Sequence, residues 1–183
     1  MNKKIIISLL SIISLFIAIP TPIYAHFEFK NTVRDMEGNR ISQDHRYLIH
    51  IYKPDGTGDF YVTHNNISLS YLSITDDRSK ADQYYFTGDR NTYDPGENTA
   101  NGKCNYRWIA SSNLDQVNYF DNDMFIVGGY ADIARFGFLR ITGDRDYKYF
   151  LLVDRGTITI NFNENKFKSY SGDNFILSFE LVE

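Results

Sequence analysis

Short hydrophobic runs separated by turn-forming residues are the feature that most restricts the fold of this 183-residue chain. The runs are rich in Tyr, Phe, Ile, Val and Thr, and Gly, Asn, Asp and Ser cluster between them at short intervals. Residues of the first group favour strands, whereas Gly and Asn accept the positive φ angles of tight turns. After the N-terminal segment, no stretch combines helical periodicity with end caps. The sequence therefore predicts an all-β protein.

The predicted strands are 47–52, 60–63, 67–74, 83–87, 106–110, 124–127, 137–142, 147–153, 157–162 and 174–182. Segment 53–58 (KPDGTG) is a predicted turn, because proline restricts φ and glycine accepts positive φ. About a dozen short strands are compatible with a sandwich, a barrel or a trefoil.

Internal repetition favours the trefoil. Segments 60–86, 106–141 and 150–177 each contain a hairpin, another strand and an aromatic-rich closing strand. Three such units predict a β-trefoil with three pseudo-repeats of short antiparallel strands.

The N-terminal segment has the pattern of a secretory signal. Lys3 and Lys4 precede an apolar run at 5–19, and Pro20 and Pro22 end that run shortly before Ala25. The run is too short to span a bilayer comfortably, since a spanning helix needs about 20 apolar residues. We expect cleavage after Ala25, a single trefoil domain at 26–183, and a secreted or periplasmic protein. An uncleaved anchor is the alternative.

Charge and cysteine content restrict the partners. The net charge is −4 at pH 7, and the leader contains two of the lysines, so residues 26–183 are more acidic still. Nucleic acid and anionic membranes both require a basic face, so neither is expected as a partner. After signal cleavage the protein is not expected to be integral to a membrane. Cys104 is the only cysteine, which excludes an intramolecular disulfide; we expect a monomer, with a Cys104-linked dimer left open.

A short N-terminal motif connects the chain to a known family. Segment 33–41 (VRDMEGNRI) predicts a tight reversal at Asp35 and Gly38-Asn39 with Val33 and Ile41 facing inward. This motif, followed by Tyr47-Leu48-Ile49, resembles the N-terminal signature of the Kunitz-type soybean trypsin inhibitor family. Trp108 and segments 125–129, 138–141, 147–151, 154–158 and 175–179 resemble later family segments in the right order. Residues 75–103 match poorly, and the usual disulfides are missing, Cys104 lying near one family half-cystine.

The resemblance implies a secreted inhibitor of a trypsin-like serine protease. It places the reactive loop at 87–96, with Asp89, Arg90 and Asn91 as the inhibitory contact and Arg90 in the specificity pocket. Gln43 is the expected support beneath the loop. The alternative is a solvated turn in which Arg90 pairs with an adjacent aspartate.

A non-inhibitory binding module for carbohydrate or a host protein is the second candidate function. Aromatic side chains bind sugars by stacking, and the chain has 14 Tyr and 14 Phe, although most are expected in the core. The Gln-x-Trp motif of ricin-type lectin trefoils is missing. An exposed cluster of Tyr84, Tyr93 and Tyr119 is a candidate surface.

The sequence predicts neither an enzyme nor a metal or cofactor site. It contains no Gly-x-Ser-x-Gly elbow and no metal-ligand spacing. A copper site at His26, completed by His50 or His64, is a minor alternative. A reactive thiol at Cys104 is another. Asn66 begins a glycosylation sequon that matters only in a eukaryotic source.

Overall fold

The computed structural model describes residues 27–28, 33–64, 70–88, 106–111, 114–120, 124–128, 133–141, 147–153 and 157–182. The strands are β1 Phe27–Glu28, β2 Arg46–Tyr52, β3 Phe60–Thr63, β4 Ser70–Tyr71, β5 Ser73–Thr75, β6 Tyr84–Gly88, β7 Tyr106–Ala110, β8 Val117–Phe120, β9 Met124–Val127, β10 Phe136–Ile141, β11 Tyr149–Val153, β12 Ile158–Asn161, β13 Lys166–Ser169 and β14 Ile176–Val182. A one-turn 3₁₀ helix spans Arg78–Lys80. Nothing helical in the described ranges has the length and apolar character to cross a bilayer.

Six antiparallel strands close into a barrel. Strand β2 pairs with β6, β6 with β7, β7 with β10, β10 with β11, and β11 with β14. The ring closes where β14 returns to β2 along its whole length, from Ile176 opposite Tyr52 to Val182 opposite Arg46. Closure leaves none of these strands as a bare sheet edge.

Three hairpins complete the fold. They are β3–β5, β8–β9 and β12–β13, and β13 joins them by pairing with both β5 and β9. Each repeat therefore supplies two barrel strands and one hairpin: β2 to β6, β7 to β10, and β11 to β14. This is the predicted β-trefoil, and the fold class is confirmed.

The barrel interior is filled by aromatic rings. Phe86, Phe138 and Phe179 come from β6, β10 and β14, the closing strands of the three repeats, and all are buried. Their centroids lie 4.9 Å (Phe86–Phe179), 5.1 Å (Phe138–Phe179) and 6.2 Å (Phe86–Phe138) apart, edge to face. Trp108 is fully buried beside them and stacks on Phe136 at 4.4 Å. Such edge-to-face contacts stabilise beyond simple area burial.

The reversal predicted at 33–41 is confirmed. Val33 and Ile41 are buried, and Gly38 has a φ of +90°. The carboxylate of Asp35 accepts a hydrogen bond from the Asn39 N–H at 2.8 Å, and the Asp35 N–H donates to the Asn39 carbonyl at 2.9 Å.

Tyr149 ties this reversal to the barrel. Its hydroxyl oxygen accepts a bond from the Arg34 N–H at 2.8 Å and donates to the Arg34 carbonyl at 3.2 Å. Burial raises the pKa of Tyr149 to about 12, although the bond from Arg34 acts in the opposite direction. The neutral phenol therefore persists at every physiological pH.

The structure has three strands that the sequence did not predict, β1, β8 and β13. Strand β13 reads Lys-Phe-Lys-Ser, and only Phe167 and Ser169 are buried. One apolar residue is too weak a pattern to reveal a strand, and this one forms because β12, β5 and β9 all present backbone groups to it. The predicted strand 67–74 instead contains β4 and β5, with 65–69 outside the described residues.

We predict that Phe179→Ala lowers the free energy of unfolding by about 3–5 kcal/mol, because it removes the ring that contacts both other repeats. Urea denaturation measures this. The control is Met36→Ala, at a side chain that is 39% exposed, which should change stability little. Equal effects of the two substitutions would contradict a core organised around the three rings.

Candidate functional site

The turn 53–59 between β2 and β3 is held by its own hydrogen bonds. The Asp55 carboxylate accepts from the Thr57 N–H at 2.9 Å and from the Thr57 hydroxyl at 2.6 Å. The Lys53 N–H donates to the Thr57 carbonyl at 2.9 Å, and Gly56 has a φ of +80°. The bonds from Thr57 hold the pKa of Asp55 below its usual value. The turn predicted here is confirmed.

The turn between β12 and β13 is equally self-contained. The Asn161 side-chain oxygen accepts from the Asn163 N–H at 3.0 Å and the Glu164 N–H at 3.2 Å. The Asn161 amide donates to the Glu164 carboxylate at 2.8 Å. Asn165 completes the reversal with a φ of +55°, which asparagine tolerates better than most residues.

Phe162 is carried on this turn. Its ring is half-buried and packs on Phe60, with the centroids 5.5 Å apart. The Lys53 ammonium lies 5.8 Å from the Phe162 centroid. Packing on Phe60 fixes the orientation of a ring that remains partly open to solvent.

Residues 170–174, which precede β14, are held against β12 by hydrogen bonds. The Asp173 N–H donates to the Ile160 carbonyl at 2.8 Å, and the Ile160 N–H donates to the Asp173 carbonyl at 2.9 Å. The Gly172 N–H donates to the Thr159 hydroxyl at 3.0 Å. A Cβ on Gly172 would lie 2.6 Å from both the carbonyl carbon and oxygen of Ile160, so only glycine fits against β12.

These three segments enclose a cleft of about 440 Å³, here called the polar cleft. It is lined by Lys53, Pro54, Phe162, Asn163, Asp173 and Asn174. The cleft thus surrounds one aromatic ring with an ammonium, a carboxylate and two amides. Its volume lies within the range of small-molecule sites, roughly 300–1,000 Å³.

A second cleft of about 390 Å³, here called the apolar cleft, adjoins the first. It is lined by Leu139, Phe150, Leu151, Leu152, Thr157, Ile158, Asn174 and Phe175. Asn174 lines both clefts, so the polar and apolar surfaces meet at this residue.

A cluster of charged groups lies on the outer face of β2 and β14. His50 is 4% exposed; its Nδ1 lies 2.8 Å from Asp59 Oδ1 and its Nε2 2.7 Å from Glu180 Oε2. The other Glu180 oxygen accepts a bond from Arg78, and the Tyr61 ring lies 4.6 Å from the imidazole. Each ring nitrogen of His50 therefore lies within hydrogen-bond distance of a carboxylate oxygen. Among the described residues, both hydrogen-bond partners of the imidazole are carboxylates.

The groups of this cluster shift the pKa values of Glu180 and Tyr61. Partial burial raises the pKa of Glu180, but the bonds from Arg78 and His50 lower it by more, so the net pKa is below the usual 4.5. Burial and the negative charges of Asp59 and Glu180 raise the pKa of Tyr61. The network therefore favours an ionised Glu180.

His64 is paired with a single carboxylate. Asp82 Oδ2 accepts the His64 backbone N–H at 2.5 Å and also bonds Nδ1 of the ring. His64 Nε2 and the Tyr84 hydroxyl are buried and have no hydrogen-bond partner among the described residues. Burial first, and then the Asp82 charge, raises the pKa of Tyr84 well above its usual value. The pair links the end of β3 to the segment leading into β6.

Most of the sequence-predicted site residues lie outside the part of the chain that the structure describes. Asp89, Arg90 and Asn91 lie outside the described residues, as do His26, Cys104 and Asn66. Gln43 is exposed in the turn before β2, and its supporting role stays a prediction. No group of three metal-ligating side chains occurs within the described ranges.

The proposed tyrosine cluster is wrong in one member. Tyr84 is fully buried in the core, where its ring packs 6.1 Å from Trp108, so it cannot contribute to a surface. Tyr93 and the side chain of Tyr119 lie outside what the structure describes.

No protein-family model matches the sequence, and neither does any curated protein. Solved structures share the fold, among them two chlorophyll-binding proteins. One is a water-soluble chlorophyll protein from Brassica oleracea var. botrytis with chlorophyll b, at a TM-score of 0.56 and 17% identity. The other is a type II water-soluble chlorophyll-binding protein, at a TM-score of 0.60 and 14% identity. Each match covers 84% of this chain and 100% of the other chain. Both relatives have Kunitz-like β-trefoil folds, and at these identities the likeness concerns the fold alone.

The predicted inhibition of a trypsin-like protease, and the protease as partner, are therefore wrong. The two similar structures are described as chlorophyll-binding proteins and neither as a protease inhibitor. The physical reason is that strand pattern specifies the barrel, whereas function depends on the loops attached to it. A family resemblance carried by barrel strands does not extend to the activity of a loop.

Sequence reasoning missed the residues of both clefts. Phe162 is an aromatic residue among turn-forming residues, Asn-Phe-Asn-Glu-Asn at 161–165, and it packs only partly against the core. The run 149–153 is apolar at every position, although a barrel strand should alternate. These two irregularities are the available signals.

We predict that Gly172→Ala lowers the free energy of unfolding by about 1–3 kcal/mol, because its methyl group would collide with Ile160. Exchange of the Asp173 amide hydrogen, which is bonded to Ile160, should accelerate. The matched control, Ser171→Ala at an exposed neighbour, should change neither measurement. Unaltered exchange in Gly172→Ala would show that the segment is not locked as described.

We predict that Glu180→Gln destabilises the protein by roughly 1 kcal/mol at pH 7, because it removes the charge that bonds His50 and Arg78. The folded pKa of Glu180 lies below its unfolded value, so this stabilisation is complete above pH 4.5 and is lost as the pH falls through the folded pKa. Urea denaturation should show a larger difference at pH 7 than at pH 3. The control is Asp76→Asn, an exposed carboxylate outside the cluster. An equally large difference at pH 7 and pH 3 would refute the assignment.

Proposed function

We propose that this chain is a non-catalytic, non-inhibitory β-trefoil binding module that takes a carbohydrate in the polar cleft. The observation that carries the proposal is the exposed side of Phe162, surrounded by hydrogen-bonding side chains. The apolar face of a pyranose stacks on an aromatic ring, while its hydroxyl groups need donors and acceptors at the rim.

The rim of the cleft supplies both kinds of group. Asn163 and Asn174 each present a carbonyl oxygen and an amide donor, Asp173 accepts, and Lys53 donates. Neither Lys53 nor Asp173 has a side-chain ion pair with a described residue, and all four side chains are exposed. They are therefore available to a polyhydroxylated ligand.

Preorganisation supports the same function. The segments that carry Lys53, Phe162 and Asp173 are each held by internal or strand-directed backbone bonds. A ligand then orders few groups on binding, which reduces the entropic cost of association. A cleft of this size favours a small glycan over a flat protein partner.

Membership in the Kunitz-type soybean trypsin inhibitor family is part of the proposal. The reversal at 33–41 and its bond to Tyr149 reproduce the motif on which the resemblance rests. The fold shared with the chlorophyll-binding proteins supports it loosely. We also propose that the leader at 1–25 exports the protein and that residues 26–183 form one domain.

Chlorophyll binding is a second candidate, because the apolar cleft offers a hydrophobic surface and both similar structures are of chlorophyll-binding proteins. A pigment-binding assay distinguishes this candidate from carbohydrate binding. The protein is mixed with chlorophyll b in dilute detergent, and bound pigment is separated from free pigment by gel filtration. Pigment that elutes with the protein would favour this candidate.

We predict that Phe162→Ala weakens glycan binding by about tenfold or more, since aromatic stacking contributes on the order of 1–2 kcal/mol. The purified protein is screened on a glycan array, and the best ligand is titrated calorimetrically. Tyr71→Ala, at a partly exposed aromatic residue that lines neither cleft, is the matched control and should bind normally. No binding to any glycan, or equal binding by Phe162→Ala, would refute the carbohydrate function.

A further inference from the structure

We propose that the polar and apolar clefts form one site for a neutral amphiphile, with a sugar headgroup on Phe162 and an alkyl chain along the apolar cleft. The inference rests on the proposed carbohydrate function and specifies the class of ligand. Its ligand is a glycolipid-like molecule and not a free sugar.

The first observation is continuity. Asn174 lines both clefts, and it lies between Asp173, which lines only the polar cleft, and Phe175, which lines only the apolar cleft. The lining changes from charged to apolar over three successive residues. A ligand that crosses Asn174 therefore meets a sharp change of polarity, which matches the junction between a headgroup and a chain.

The second observation is the apolar outer face of β10 and β11. Phe138 and Tyr149 point into the barrel core, so the alternating residues Leu139 and Phe150 point outward, where they are cross-strand partners. Leu152 continues this outward row, and all three outward side chains are half-buried. Outward positions of a barrel in water are normally polar, and a contiguous apolar patch indicates a binding surface.

The third observation is the balance of charge. The described lining of the polar cleft has one cation, Lys53, and one anion, Asp173, and that of the apolar cleft has none. A headgroup with a net charge would meet one attractive and one repulsive partner. A neutral glycosyl headgroup uses both as hydrogen-bonding groups.

The test is a series of β-D-maltosides with methyl, hexyl, octyl and decyl chains, each titrated calorimetrically into the purified protein below its micelle-forming concentration. Each pair of methylene groups that is fully buried should lower the dissociation constant by up to about tenfold. Where the open cleft covers only part of the alkyl chain, the decrease should be about threefold. The gain should stop when the chain outgrows the cleft.

Two kinds of variant locate the two ends of the ligand. Leu152→Ser should remove most of the dependence on chain length and leave methyl maltoside binding unchanged. Phe162→Ala should weaken the methyl and octyl compounds by the same factor. Leu139→Ser is a second variant of the apolar cleft in case Leu152→Ser does not fold, which circular dichroism establishes beforehand.

Several outcomes would overturn the inference. Methyl and decyl maltoside binding with the same affinity would refute the amphiphile and leave the carbohydrate function intact. A chain-length dependence that survives both serine variants would place the alkyl chain elsewhere. If Leu152→Ser changes the sedimentation coefficient and leaves maltoside binding unchanged, the apolar cleft is an interface between copies of this chain. Binding of no maltoside, together with an empty glycan array, would remove both proposals.

Discussion

The contact on which the rest of this structure depends is the edge-to-face packing of Phe86, Phe138 and Phe179. Each ring belongs to the closing strand of a different repeat, so a single cluster joins all three units. Barrel closure brings the first repeat back against the last through the long β2–β14 pairing. Non-local strand pairing is costly in chain entropy, and buried aromatic area is what offsets that cost here.

The barrel separates stability from function. Its interior tolerates little change, whereas the turns between strands are joined to it mainly by backbone bonds and local side-chain caps. The cap of Asp55, the amide of Asn161 and the close contact of Gly172 with β12 give three turns fixed shapes without contributing to the core. A trefoil can therefore keep its fold while the chemistry of its turns changes completely.

Much of the fold was predictable because its signals are local. The reversal at Asp35 and Gly38 depends on residues four apart, and the apolar and aromatic character of β2 is visible in seven consecutive residues. Strand β13 was not predictable, because two of its three backbone partners, β5 and β9, come from distant segments. The candidate site was not predicted for the same reason: Lys53, Phe162 and Asp173 are far apart along the chain.

The sequence by itself determined the all-β class, the three repeats and the N-terminal reversal, because turn chemistry and strand alternation act between near neighbours. Only the tertiary structure decided which turns meet. It placed Phe162 beside Lys53 and made Asn174 the boundary between a polar and an apolar surface, since closure of the barrel sets the positions of the turns. A binding site of this kind forms because the fold brings separate turns together, and no local sequence pattern indicates which turns will meet.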